Sequence, residues 1–266
     1  MPIYHNLISD SLLINETIQL LQSSGGRASA VKVVDYVMKI SKPAPDFART
    51  LVSDMIEIDP RLQMNEDTVE LVEERFANRN LDETDYVVFD FETTGAKTPP
   101  CRVTEIGAYR VSNGAIVDEF HTLVNPETPI PFFITQLTGI SDRMVRYEPR
   151  FYEIAADFLE FIGDSVLVAH NANFDMRFLN HEIGRIHANF SVANPSLCTV
   201  QLSRKLLPHI ENHRLNTVAN YFSVALVNHH RASDDARATA HIFINLLEDL
   251  QMRGVRDLAT AKKLKI

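Results

Sequence analysis

Tyr86-Val87-Val88-Phe89-Asp90-Phe91-Glu92-Thr93-Thr94-Gly95 is the stretch that decides how this chain is read. Four apolar residues in a row suit a strand buried on both faces in the middle of a sheet. Alternate side chains of a strand share a face, so Asp90 and Glu92 point one way and Phe91 the other. Two carboxylates side by side at the end of a buried strand repel each other unless a cation lies between them. Thr94-Gly95 then allows a close turn at the same end. The plain alternative is a strand end whose acids face water, which fits poorly with the apolar run before Asp90.

Working outward, 103–111 and 115–124 read as two further strands, joined at Ser112-Asn113-Gly114, where Asn and Gly tolerate a hairpin turn. Phe151, Ile154, Ala155, Phe158, Leu159 and Ile162 form the apolar stripe of a helix that stops at Gly163-Asp164. Residues 165–169 are another short apolar strand. A helix follows from about Phe174, another covers about Leu215 to Phe222, and a long one runs from about Ser233 to Met252. A hairpin sheet followed by alternating strands and helices predicts an α/β domain with a mixed sheet and flanking helices.

Two more polar motifs sit at the starts of helices. His170-Asn171-Ala172-Asn173-Phe174-Asp175 follows the strand 165–169, and His229-His230-Arg231-Ala232-Ser233-Asp234-Asp235 opens the last helix. Taken singly, the aspartates could be helix-start charges and the asparagines caps.

The rest of the chain sets bounds. It has 266 residues, 45% hydrophobic and 23% charged, with two cysteines and a formal charge of −9. That composition suits up to about two globular domains and excludes a disordered chain, a collagen and a disulfide scaffold. Cys101 and Cys198 lie too far apart for a metal-ligand spacing. Neither a run of about 18 apolar residues nor a leader-like N-terminus is present, so a cytoplasmic protein with no membrane contact is expected. An acidic chain lacks the global field that captures polyanions, so a nucleic-acid substrate needs a local basic groove or bridging cations.

Residues 1–83 carry a different pattern. Ile14, Ile18 and Leu21 fit a first helix, stopped at Gly25-Gly26. Ala30, Val33, Val34 and Val37 fit a second, and Ala48, Leu51, Val52 and Met55 a third, entered after Pro43 and Pro45. Leu62, Met64, Val69 and Leu71 alternate about Asn65-Glu66-Asp67 as a hairpin. Three helices and a hairpin have the pattern of a winged-helix module, a small N-terminal helical domain, with the polar stretch 73–85 as a linker or solvated helix end. Such a module could dock on DNA through its third helix, or be a protein-contact or purely structural domain. Asp54, Glu57, Glu66, Asp67 and Glu70 would repel phosphates, which favours a protein-contact or structural role over DNA docking.

In order and spacing, Asp90-x-Glu92, the His170–Asp175 motif, and His230 five residues before Asp235 resemble the DEDDh (DnaQ-like) exonuclease family, of the DNA polymerase III epsilon type. Gln136-Leu137-Thr138-Gly139-Ile140 resembles the segment that the family places between its first two motifs. The resemblance covers roughly residues 84–252 and makes 84–266 the exonuclease domain. It implies a ribonuclease H-like fold and 3′→5′ hydrolysis to nucleoside 5′-monophosphates. It implies Asp90, Glu92, Asp175 and Asp235 as ligands of two divalent cations, Mg²⁺ or Mn²⁺, and His230 as general base. Thr93, Thr94 and Gly95 should approach the terminal nucleotide, and Leu137 and Phe174 should wedge and stack the last bases; both are equally at home in a core. Arg231 and Arg237 are candidate phosphate contacts.

The chemistry suits the residue types. Oxygen ligands fit hard divalent ions, and a histidine with an intrinsic pKa near 6.5 can accept a proton from attacking water at neutral pH. The expected partner is nucleic acid with a free 3′ end, single-stranded or frayed, and DNA rather than RNA; an RNA-trimming enzyme and a regulatory platform on the same fold are the alternatives. No clamp-binding segment stands out in 253–266, so association with a polymerase is left open.

Overall fold

The computed structural model describes residues 4–57, 59–72 and 79–263. It divides into two compact units: Met1–Arg75 with Ile183–Ala193, and Phe76–Glu182 with Asn194–Ile266.

In the first unit, β1 (Leu7–Ser9) leads into α1 (Leu12–Ser23), β2 (Arg27–Ser29), α2 (Ala30–Tyr36), α3 (Pro45–Ile56), and the hairpin β3 (Leu62–Asn65) and β4 (Thr68–Leu71). Ser29 caps α2 by accepting the Lys32 N–H, and Pro45 begins α3 where a missing N–H costs nothing. The sheet order is β2-β4-β3. Its core includes Ile14, Leu21, Val33, Val34, Ala48 and Val52, which the helical spacing picks out, together with Ala28, Leu62 and Val69 of the strands; Ile18, Leu51 and Met55 are partly buried. β1 pairs antiparallel with Phe190–Val192, a pairing that three-residue strands without alternation do not announce. Asp59 anchors this region, its buried carboxylate accepting the Ser9 and Arg61 N–H groups and the Arg61 guanidinium.

The second unit begins before the central strand. In the stretch read as a linker, 73–78 lie outside the described residues. From Arg79 onward it is no linker. Leu81 is buried, its carbonyl accepts the Tyr86 hydroxyl, and Asn80 bridges to Asp257. Leu81, the single apolar side chain of 79–85, is what docks it. Then come β5 (Tyr86–Thr93), β6 (Val103–Ser112), β7 (Ala115–Leu123), α4 (Phe132–Thr138), α5 (Asp142–Val145), α6 (Phe151–Ile162), β8 (Val166–Ala169) and α7 (Ala172–Ile186). After β9 (Phe190–Val192) follow β10 (Ser196–Cys198), α8 (Thr199–Leu206), α9 (Leu215–Tyr221), α10 (Ala232–Met252) and α11 (Leu258–Lys263). The sheet order is β10-β8-β5-β6-β7, antiparallel from β5 to β7 and parallel across β5, β8 and β10. This is the mixed sheet of a ribonuclease H-like fold.

Alternation along β5 sorts the two layers. Tyr86 and Val88 join Tyr109, Val111 and the apolar stripe of α10, with Tyr86 edge-on to Phe243. Phe89 and Phe91 turn to the other face and pack on Phe158 of α6. Asp90 and Glu92 therefore belong to the α10 face. Among the described residues no helix is long and apolar enough to cross a membrane, and both cysteines are free.

One buried ion pair ties the start of β6 to α7. Arg102 donates to both Glu182 oxygens at 2.7 and 3.1 Å, and also to Glu127 at 3.0 Å. Removing one partner of a buried pair leaves a charge without compensation. Glu182→Ala is expected to lower the unfolding free energy by about 3–5 kcal/mol in urea titrations; a loss under about 1 kcal/mol would mean that Glu127 alone satisfies the guanidinium.

Candidate active site

Asp90 and Glu92 line up on β5, opposite Gly107 and Glu105 of β6. Asp235, buried in the first turn of α10, closes on them. Ligand oxygens of Asp90, Glu92 and Asp235 all lie within 4.8 Å of one another. Asp175, buried in the first turn of α7, accepts the Phe91 N–H at 3.2 Å, which holds it against the same strand. The structure thus brings together the four acids that the sequence singles out.

The cluster is electrostatically costly. Burial first, and then Asp175, Glu92 and Asp235, push the Asp90 carboxyl well above the usual range. Glu92 is pushed up to about 8 by burial, Asp235, Glu105 and Asp175, with Arg231 opposing. Burial raises Asp175 to about 8 against its Phe91 hydrogen bond. Carboxyls held so far up are largely protonated at neutral pH, and a bound cation would favour their ionised form. An all-oxygen donor set of this span fits a hard divalent cation.

The histidines enter through the turn before α10. His230 has a left-handed backbone, φ 70°, and its N–H donates to Asp235 Oδ2 at 3.1 Å. His229 Nδ1 lies 3.0 Å from both Asp235 oxygens, and its ring stacks on that of His230 with centroids 3.9 Å apart. Both imidazoles thus adjoin the acids, where the sequence reading chose His230 alone. Burial and the neighbouring His229 hold His230 below its ordinary value, with Asp235 opposing. His170 is further off: it pairs with Thr199, and burial lowers it to about 4, which suits a structural role.

Behind the acids lies a support that the sequence reading missed. Glu105 is fully buried beside Glu92. It accepts Arg231 at 2.6 Å, His121 at 2.9 Å and the Ala232 N–H at 2.9 Å. Burial pushes its carboxyl up, but these donors outweigh burial and hold it below the ordinary range. Arg231 is therefore committed to Glu105. The signal was present: a glutamate inside the apolar strand 103–111 must be paired.

Gly107 lets α10 approach. A Cβ there would sit 2.3 Å from the Ala232 carbonyl oxygen. Gly107→Ala is expected to push the start of α10, and Asp235 with it, off the sheet. It should cost about 1–3 kcal/mol of stability and about 10²-fold in turnover. Turnover within twofold of wild type would show that the helix start need not be held so closely.

The remaining expected contacts are arranged as follows. The Thr93 hydroxyl donates to the Gly95 carbonyl, and the Thr94 hydroxyl accepts the Arg102 N–H, so both shape the turn after β5. Gly95 abuts Cys101, whose Sγ would lie 2.8 Å from an added Cβ. Leu137 is 52% exposed on α4. Phe174 is half-buried against Phe178. Arg237 is exposed on α10.

The RNase_T exonuclease family model matches residues 87–243. The chain belongs to this exonuclease family. It is 46% identical over 177 residues to the PolC-type DNA polymerase III of Caldanaerobacter subterraneus subsp. tengcongensis, a match covering 66% of this chain and 12% of that polymerase. The chain thus spans a small part of the curated relatives it matches. Exonuclease X in complex with 5′ overhanging duplex DNA aligns with a TM-score of 0.55 at 25% identity, over 66% of this chain and 98% of the other. A 3′-exonuclease that recognises a histone mRNA stem-loop shares the fold, with a TM-score of 0.55 at 16% identity, over 65% of this chain and 83% of the other. The family is the DnaQ-like one to which the motifs pointed.

Proposed function

We propose that this exonuclease hydrolyses DNA from the 3′ end to nucleoside 5′-monophosphates. The observation that carries the reading is the approach of three carboxylates to within 4.8 Å, with Asp175 and two imidazoles beside them. A binding platform has no use for such mutual repulsion.

Asp90, Glu92, Asp175 and Asp235 would hold two divalent cations, Mg²⁺ or Mn²⁺. When bound, such ions supply positive charge to the attacking and leaving oxygens of an in-line displacement. The chain's own residues do the rest. His230, held below its ordinary pKa, is neutral at pH 7 and takes the proton of the attacking water on its free ring nitrogen. Asp235 orients the His229–His230 pair through the His230 N–H and the His229 ring. Arg231 and Glu105 fix the turn on which these side chains stand. Leu137, Phe174 and the Thr93–Gly95 turn would position the terminal nucleotide.

Identity to a PolC-type DNA polymerase supports DNA as substrate. The residues 1–83 would form a winged-helix module for contact with a protein or with DNA, attached to an exonuclease domain over 84–266. Incubating 3′- and 5′-labelled DNA and RNA oligonucleotides with Mn²⁺ tests polarity and sugar together. Stepwise shortening of 5′-labelled DNA is expected. Release only from the 5′ end, or cleavage of RNA alone, would contradict the reading.

A further inference from the structure

The surface of α4 and α5 is unusual for an acidic chain. Phe132 and Phe133 are 75% and 64% exposed and Tyr147 is 90% exposed. Arg143 and Arg146, also exposed, stand on α5 and at its end, just before Tyr147 in the chain. Large apolar side chains gathered on a surface mark a contact, and aromatics interleaved with arginines suit stacking bases and phosphates.

The scaffold beneath is built firmly. Ile134, Ile140 and Val145 are buried together and pack with Leu123, and Asp142 accepts the Ile130 N–H. The two short helices are thereby held as one surface. Leu123 pairs with Glu105, which pairs with Glu92. Directly paired residues share a face, and two strand spacings put Leu123 about 10 Å from Glu92. Phe133 lies one helical turn before Leu137 and shares its face.

We propose that this surface is a single-strand platform continuous with the carboxylate cluster. Phe132 and Phe133 stack the bases from the third nucleotide onward, counted from the 3′ end, and Arg143 and Arg146 hold their phosphates. The proposal rests on the exonuclease reading, and its occupant is unpaired nucleic acid. Continuity with the acid cluster, and two exposed arginines against the single Asp142, favour that occupant over a protein.

The test compares a dinucleotide with a 10-nucleotide single-stranded DNA in Mn²⁺. The Phe132→Ala/Phe133→Ala and Arg143→Ala/Arg146→Ala double variants should each raise KM for the 10-mer about tenfold. kcat and dinucleotide cleavage should stay unchanged. A 10-mer with a phosphorothioate 3′ linkage and 2-aminopurine third from the 3′ end should be quenched by the wild type and not by the phenylalanine variant. The arginine variant should show a binding-versus-salt slope smaller by about 2. Variants that match an active wild type at every length overturn the platform and leave the exonuclease reading standing. So does a phenylalanine variant whose sole change is from dimer to monomer. A wild type that cleaves neither oligonucleotide sinks the exonuclease reading and the platform with it.

Discussion

Asp90→Asn should reduce exonuclease turnover by about 10³-fold or more, the scale of losing a group that supports charge in the transition state. The fold should survive, because Asn is nearly isosteric with Asp. The same change should raise the melting temperature at pH 8 in EDTA. Asp90 lies half-buried among Asp175, Glu92 and Asp235, and its carboxyl is held well above the ordinary range. A group whose folded pKa is raised contributes stability at low pH and loses it as pH rises through the folded value. Removing the ionisable group removes that loss. Turnover within tenfold of wild type would take Asp90 out of the site.

His230→Ala should lose about 10²–10⁴-fold in turnover, the usual span for a general base. His229→Ala should lose less, since the His229 ring is turned to Asp235 and acts through it. The acid limb of the wild-type pH–rate profile should fall below the ordinary imidazole value of about 6.5, because burial and His229 lower His230. The limb should vanish in His230→Ala. Equal losses in the two variants, or a limb that survives in His230→Ala and vanishes in His229→Ala, would transfer the base to His229.

Legibility followed local physics. The run Tyr86–Phe89 and the alternation that follows predict both β5 and the shared face of its two acids. The Asn113-Gly114 turn predicts the β6–β7 hairpin, and the stripes of α6 and α10 predict their packing. Asp175 and Asp235 were readable as first-turn acids, but their approach to β5 is tertiary, and only the motif resemblance pointed to it. Short elements such as β1, α4, α5 and α8 are less readable, since each spans too few residues to show a period. Glu105 and Gly107 were passed over inside a strand that otherwise reads as plain core. Their meaning comes from α10, more than a hundred positions away in the chain. The contact of His229 with Asp235 depends on the left-handed backbone at His230, which spacing does not reveal.

Asp90, Glu92, Asp175 and Asp235 are proposed to gather divalent cations, a step that can be measured without substrate. Calorimetric titration of Mn²⁺ into the protein at pH 7, in two buffers of different ionisation enthalpy, tests it most directly. Glu92 and Asp175 are held up to about 8, so both are largely protonated at pH 7 and must give up protons to bind a cation. Saturable binding with net proton release, lost in Asp90→Asn, is expected. Heats that show no saturation, or binding in which the two buffers report no proton release, would contradict it.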